Sequence, residues 1–304
     1  MPDDSGPIRE VPPAVKLLSP RHAISGYSDF IGTYLVTGEK KALVDIGPSS
    51  AVPGVLVALA EERVRPEEID YLILTHIHID HGGGVGTALR SMKNARVLAH
   101  PRGRQHLIDP AALWKASLET LGELARKYGE IEPVPADRVI DAEDGMKIDL
   151  GCDVRLEVLL TPGHAAHHLS LYEPRSRVLF AGDAAGVYSN GALRLTTPPP
   201  FRLADYLASL DRMVALHPLY LCYAHFGCYP DAVKRLHATQ DKARLWHGIA
   251  RAGAENGKTA EQVAREIMEK DPGLAYLAAL SPEEYERDYS LLVTSVHGLM
   301  TAKA

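Results

Sequence analysis

Residues 71–84 constrain the fold of this chain more than any other stretch. Tyr71-Leu72-Ile73-Leu74-Thr75 is a short apolar run suited to a buried strand, and it ends in His76-Ile77-His78-Ile79-Asp80-His81 followed by Gly82-Gly83-Gly84. A strand places residues i and i+2 on one face. If extended geometry continues a little past Thr75, His76 and His78 point one way and Ile77 and Ile79 the other. Two imidazoles then converge while two isoleucines anchor the loop in the core. Asp80 and His81 follow directly and serve a second point nearby. The glycines let the backbone fold back tightly, so that a helix over about 85–92 starts close to the site. Three histidines and an aspartate within six residues is a metal-ligand composition. The bland alternative is a solvated His-rich turn, but imidazoles clustered after a buried strand rarely lack a ligand.

The 304 residues allow one large domain, or one domain with an appendage. At 46% hydrophobic and 24% charged, the composition is that of an ordinary globular protein. A net charge of −6 with scattered Lys and Arg argues against a general nucleic-acid binder. The cysteines, Cys152, Cys222 and Cys228, are too few and scattered for a disulfide framework and form no CxxC pair, so Cys is not the metal ligand. The N-terminus shows no basic segment followed by an apolar one, and no stretch approaches the roughly 18 apolar residues a membrane span needs. The expectation is a cytoplasmic protein without a membrane partner.

Residues 1–15, with four prolines, read as an extended arm. Ile31 to Val36 and Ala42 to Ile46 flank Thr37-Gly38-Glu39-Lys40 as a hairpin, and Asp45 closes its second strand. Residues 51–63 have helical spacing. After a strand over 96–99, residues 103–135 read as a helical insertion. Its Leu113, Trp114, Leu118, Leu121 and Leu124 form either core or a lid. Three further apolar runs each end in a potential ligand: His164 after 156–160, Asp183 after 178–181, and His225 after 219–223. Thr196 to Phe201 is a stiff, proline-rich loop, residues 203–216 are helical, and the chain from about 230 onward is helical to its end. Strands alternating with helices favour sheets covered by helices.

His76, His78, Asp80, His81, His164, Asp183 and His225 thus all sit just past strand ends, where a layered α/β fold gathers functional groups on loops held by a rigid sheet. Seven N and O donors suffice for two metal ions. A carboxylate between two dications reduces their repulsion, and a water bridging them has its pKa lowered toward neutrality and becomes a nucleophile.

In these segments the chain resembles the metallo-β-lactamase superfamily of metal-dependent hydrolases. The matching motifs are Thr75-His76-Ile77-His78-Ile79-Asp80-His81-Gly82-Gly83, Thr161-Pro162-Gly163-His164, Gly182-Asp183 and His225-Phe226-Gly227, with Val44-Asp45-Ile46-Gly47 similar to the family's first motif. The match runs from about residue 20 to 230 and is nearer the glyoxalase II-like and lactonase-like group than the β-lactamases themselves. The resemblance implies an α/β fold, a four-layer αβ/βα sandwich, with the catalytic domain over 1–230 and a helical extension over 231–304 packed on it. It implies that His76, His78 and His164 hold one ion, that Asp80, His81 and His225 hold a second, and that Asp183 bridges them. It further implies that Asp45 braces the His loop. His168, four residues past His164, is expected to support a ligand, and His167 to point away. The remaining histidines have no motif and read as surface or structural, with His22 and His106 as candidates to line the cleft.

The implied chemistry is hydrolysis of a small ester, thioester, lactone or phosphoester by a metal-bridging hydroxide, with Asp80 passing a proton to the leaving group. Tyr188, five residues past Asp183, stands near the place where lactonase-like relatives carry a carbonyl-assisting tyrosine. Trp114, Phe201 and Tyr229 are candidates for an apolar pocket. The cofactors expected are two divalent ions, zinc first, with iron or manganese acceptable to the same donors. The partners expected are a small-molecule substrate and no nucleic acid; the C-terminal helices are compatible with a homodimer. The competing functions are a mononuclear iron oxidoreductase like the sulfur dioxygenases and a nuclease of the same superfamily. The glutathione-binding basic residues of a glyoxalase II are not evident near the C-terminus.

Overall fold

The computed structural model describes residues 10–11, 14–19, 24, 31–189, 191–225 and 227–302. Two sheets carry the architecture. The first runs in sequence order: β1 (Glu10–Val11), β2 (Val15–Leu18), β3 (Thr33–Thr37), β4 (Lys41–Val44), β5 (Ile69–Ile73), β6 (Arg96–Ala99) and β7 (Val139–Asp141). β1 to β4 pair antiparallel and β4 to β7 parallel. The connections that return the chain for the parallel strands are α1 (Val52–Glu61), then α2 (Ile79–Gly82) and α3 (Val85–Ala88), then α4 (Pro101–Ile108), α5 (Ala111–Leu121) and α6 (Glu123–Tyr128). The second sheet comprises β8 (Lys147–Gly151), β9 (Val154–Leu160), β10 (Leu169–Glu173), β11 (Val178–Gly182), β14 (Tyr220–Tyr223) and β15 (Gly227–Pro230). β12 (Val187–Ser189) and β13 (Ala192–Arg194) form a separate hairpin. Four helices complete the described chain: α7 (Leu203–Ala215), α8 (Ala232–Glu255), α9 (Ala260–Lys270) and α10 (Pro282–Met300).

Side-chain alternation along each strand explains the layers. Tyr34, Val36, Ala42, Val44 and Ile73 of the first sheet meet Leu156, Val158, Leu171, Val178 and Phe180 of the second in one inter-sheet core. The alternate residues Leu35, Leu43 and Leu72 face outward, onto Val55 and Leu59 of α1 and Val85 of α3. On the far side Leu179, Ala181 and Leu221 meet α7 to α10 through Tyr206, Leu210, Trp246, Val263 and Val296. The order is helix, sheet, sheet, helix, a four-layer αβ/βα sandwich. Among the described residues no helix is long and apolar enough to cross a membrane.

Local differences from the sequence expectations have simple causes. The helix expected over about 85–92 stops at Ala88, followed by turns whose Met92 is buried. β15 was not anticipated: the chain turns back at once after His225 and pairs with β14 before α8 begins. The insertion helices lie over 101–128. Leu113, Trp114, Leu118, Leu121 and Leu124 pack half-buried on Ile79, Ala125, Tyr128 and Ile131, so their apolar stripe is a satellite core under the His loop. Phe201 and Tyr229, offered as pocket-lining residues, are buried in the core beneath α7 to α10.

Candidate metal centre

β5 and β11 deliver the site from opposite sheets. Past β5 the chain stays extended long enough for the anticipated alternation: Ile77 and Ile79 are buried in two different apolar clusters, while His76 and His78 face the cleft. His78 then caps α2, whose single turn carries Asp80 and His81. From the second sheet come His164 after β9, Asp183 after β11 and His225 between β14 and β15. The sheets are pinned together here, since Leu169 N–H donates to the Thr75 carbonyl at 2.7 Å. The Tyr34 hydroxyl donates to the Tyr223 carbonyl at 2.6 Å, and Gly32 N–H to the Ala224 carbonyl at 2.8 Å, bracing the turn that carries His225.

The seven side chains converge in two sets that share one carboxylate. In the first, His164 Nε2 lies 3.1 Å from His78 Nδ1 and 3.6 Å from Asp183 Oδ2, with His76 completing the group. In the second, His81 Nε2 lies 3.2 Å from His225 Nε2, and Asp80 Oδ2 stands 3.7 and 3.5 Å from those two nitrogens. Asp183 Oδ1 is 3.6 Å from His81 Nε2 and 3.5 Å from His225 Nε2, so its two oxygens address different sets. Donors about 2 Å from a common tetrahedral ion stand about 3.3 Å apart, and the distances above run from 3.1 to 3.7 Å.

Hydrogen bonds on the far side of the rings fix which nitrogens face the centre. The Asp45 carboxylate can only accept. It takes Thr75 N–H at 2.8 Å on Oδ1, and on Oδ2 the Thr75 hydroxyl at 2.8 Å and His81 Nδ1–H at 3.0 Å. The Thr75 proton being so committed, its oxygen accepts His76 Nδ1–H at 3.1 Å. His164 Nδ1–H donates to the Thr196 carbonyl at 2.8 Å. His76 and His164 are therefore Nδ1–H tautomers that present bare Nε2 atoms, and His81, its Nδ1–H held by Asp45, presents a bare Nε2 in its neutral form. His76 Nε2 and Asp183 Oδ1 are buried without a hydrogen-bond partner. Orphaned acceptors facing one another in a dry cleft are costly without a cation, and the donor set suits a divalent transition ion.

His168 is not one of the converging groups. Its Nε2 accepts Asp183 N–H at 3.1 Å, so its Nδ1–H donates to Thr161 Oγ1 at 2.8 Å. A relay continues through Ser170 Oγ at 2.9 Å to the Ala181 carbonyl at 3.2 Å. Gly182, with φ of +54°, leaves room for the ring: a Cβ there would stand 2.5 Å from His168 Nε2.

Burial and mutual repulsion of the imidazoles hold His76 and His78 well below the usual histidine range. Burial also lowers His164, against the pull of Asp183 and the Thr196 carbonyl. At His81, burial is outweighed by Asp183, Asp80 and Asp45, which push it up to about 10. Burial opposes ionisation of Asp183, but His225, His81 and His164 together hold its carboxyl below the usual range.

Some expectations need correction. His167 does not point away: its ring lies 5.4 Å from that of His78 and is stacked 6.2 Å from that of His76. Burial, His164, His100 and His106 push it down to about 4. Tyr188 finds other company than the seven: its ring lies 6.0 Å from Tyr223 and 4.8 Å from Tyr229, with the Arg235 guanidinium 4.4 Å above it. His22 and Phe226 lie outside the described residues. The sequence reading gave no part to Thr75, Thr161 or Thr196. The first two stood inside the quoted motifs; Thr196 had no signal, because its partners are 13 and 32 residues away.

Comparisons with known proteins follow this geometry. The family model described as "Metallo-beta-lactamase superfamily" matches residues 30–225. The metallo-beta-lactamase fold-containing protein ST1585 of Sulfurisphaera tokodaii is 32% identical over 219 residues, covering 70% of this chain and 79% of its own. A crystal structure of ST1585 from Sulfolobus tokodaii superposes with a TM-score of 0.70 over 94% of this chain and 98% of that one, at 24% identity, a likeness of fold. The acyl-coenzyme A thioesterase MBLAC2 of Homo sapiens is 29% identical over 60% of this chain and 67% of its own length. A hydroxyacylglutathione hydrolase of Pseudomonas aeruginosa is 27% identical over 62% of this chain and 58% of its own.

Proposed function

The chain belongs to the metallo-beta-lactamase superfamily, and from that premise we propose that it is a binuclear metal-dependent hydrolase of a small ester-like substrate: an ester, thioester, lactone or phosphoester. The observation that carries this is the sharing of Asp183 between two complete donor sets. His76, His78 and His164 would hold one ion, Asp80, His81 and His225 the other, and Asp183 both. Divalent ions held there would supply Lewis acidity toward the scissile carbonyl or phosphoryl oxygen and a nucleophilic water near neutral pH. The protein does the rest. Asp45 and Thr75 keep His76 and His81 in the tautomers that aim Nε2 inward, and His168 fixes the backbone of Asp183. The Asp80 carboxyl, 23% exposed where that of Asp183 is buried, is the carboxyl able to exchange a proton with a bound substrate and deliver it to the leaving group.

The thioesterase and hydroxyacylglutathione hydrolase among the relatives support a thioester as the first substrate to try. The complete second donor set favours two ions over the single iron of a sulfur dioxygenase-like oxidoreductase. The test is metal content by elemental analysis of protein purified without added metal. A panel of chromogenic ester, acyl thioester, lactone and phosphodiester follows, before and after chelation. We expect cleavage of at least one substrate, its loss on chelation, and its return with zinc, manganese or iron. A protein loaded with one iron that consumes oxygen with a persulfide, and cleaves nothing on the panel, would overturn the assignment.

A further inference from the structure

The strap 195–198 lies between the metal-ligand candidates and α10, and it is bonded on both sides. On the inner side Thr196 contacts both His164 and Asp183. Its carbonyl accepts His164 Nδ1–H at 2.8 Å, and its hydroxyl donates to Asp183 Oδ2 at 3.1 Å. The hydroxyl oxygen also lies 3.1 Å from His164 Nδ1 and 3.4 Å from the Asp183 carbonyl oxygen. On the outer side Ser295 Oγ donates to the Leu195 carbonyl at 3.0 Å and accepts Thr197 N–H at 3.3 Å. The Thr197 hydroxyl donates to the Ser295 carbonyl at 2.9 Å. Thr197 and Ser295 are both buried. One turn further along α10, Gly298 lies against the strap so closely that a Cβ there would overlap the Thr197 carbonyl oxygen. Side chains alternate along an extended strap, which is how Thr196 reaches the centre while Thr197 reaches the helix. Pro198, Pro199 and Pro200 leave the chain beyond few ways to absorb a push.

We infer that α10 is a clamp for the metal centre: Ser295 and Gly298 hold the strap so that Thr196 keeps His164 and Asp183 aimed. Thr196, Ser295 and Gly298 are positioning residues, the last two about 100 positions from the strap they hold. The inference rests on the binuclear reading above. It gives the C-terminal helices a part in the site, although no residue of theirs belongs to either donor set.

The test is zinc affinity by chelator competition and the visible spectrum of the cobalt(II)-substituted protein. It is run on the wild type, Gly298→Ala, Ser295→Ala, and Asp271→Asn as a control. Asp271 holds Trp246 Nε1 at 2.7 Å within the same helical layer and makes no contact with the strap among the described residues. Gly298→Ala should weaken zinc binding about ten- to hundredfold, the usual effect of disturbing groups that orient ligands, and shift the cobalt bands. Ser295→Ala should do the same to a smaller extent and decides the matter if the alanine at 298 prevents folding. Asp271→Asn should lower the melting temperature with affinity and spectrum unchanged. Wild-type affinity and spectrum in both clamp variants, or equal losses in Asp271→Asn, would overturn the clamp alone. A wild type that binds neither ion would overturn the binuclear reading beneath it.

Discussion

Replacing Asp45 with asparagine is a one-atom change whose consequence follows from donor counting. The wild-type carboxylate faces three donors, Thr75 N–H, the Thr75 hydroxyl and His81 Nδ1–H, and accepts from all of them. An amide offers one oxygen and one NH2. If its oxygen stays on Thr75, the NH2 meets His81 Nδ1, and the imidazole must move its proton to Nε2, the atom that faces Asp80, Asp183 and His225. If its oxygen turns to His81, two N–H groups collide at Thr75. Each arrangement costs about 1–3 kcal/mol at a buried donor. That matches the ten- to hundredfold loss of affinity expected for a group orienting a ligand, about 1.4–2.8 kcal/mol. An opposing effect must be subtracted. Asp45 also helps raise His81 to about 10, behind Asp183 and Asp80, so the variant loses less to proton competition near neutrality. The deficit should therefore be smaller at pH 7 and widen as the pH rises toward 10, where the wild type no longer has a proton to expel. Chelator competition at pH 7 and 9, with elemental analysis after dialysis, should find the ion of the Asp80, His81 and His225 set weakened. The ion of the other set should be retained, because His76 keeps its bond to Thr75. Unchanged affinity for both ions, or a deficit that narrows with pH, would refute the tautomer argument.

Loading the second set should release about one proton per ion below pH 10, because His81 must give up the proton its carboxylates hold. Affinity for that ion should climb with pH up to about 10, as read by calorimetry in buffers of different ionisation enthalpy. In the metal-free protein the same shift has the opposite sign for folding: its stabilisation is complete below the ordinary histidine value and is lost as pH rises through about 10. His168→Leu strands the Asp183 N–H and Thr161 Oγ1, and should destabilise the fold by about 1–3 kcal/mol while weakening both ions, as denaturant melts and competition assays will show. Asp288 is fully buried among Arg194, Arg287 and Tyr276, and Asp288→Ala should cost about 3–5 kcal/mol in urea unfolding. Tyr188→Phe keeps the ring packing on Tyr223, Tyr229 and Arg235, so turnover of the metal-loaded enzyme should stay within about twofold; a tenfold loss would return the hydroxyl to the chemistry.

What could be read from the residues, and what could not, divides along contact range. The His76 to His81 loop was legible because alternation along a strand is a local rule: once Tyr71 to Thr75 is a buried strand, Ile77 and Ile79 must go to the core and the histidines to the cleft. His164, Asp183 and His225 were legible because each ends an apolar run, and strand ends are where a layered fold leaves its loops. Tyr188 was singled out by its distance in sequence from Asp183, which says nothing of where its ring packs; the β12–β13 hairpin sets that ring against Arg235 of α8, and the phenylalanine variant decides the part of its hydroxyl. Thr196 was illegible for the same reason in reverse. Its section of chain reads as a proline-stiffened loop, and stiffness says nothing of what the loop touches on either side. The tautomers of His76, His81 and His164 also lie beyond a one-dimensional reading, since each is set by an acceptor that only the packed sheets bring near. The convergence of the seven donors was thus written in local pattern, whereas the hydrogen bonds behind them come from Asp45, His168 and Thr196, groups drawn from across the chain. A variant chosen by motif alone would probe the first and leave the second untouched. That is why substitutions at Asp45 and Gly298, which remove no ligand, test the centre more sharply than replacing a histidine would.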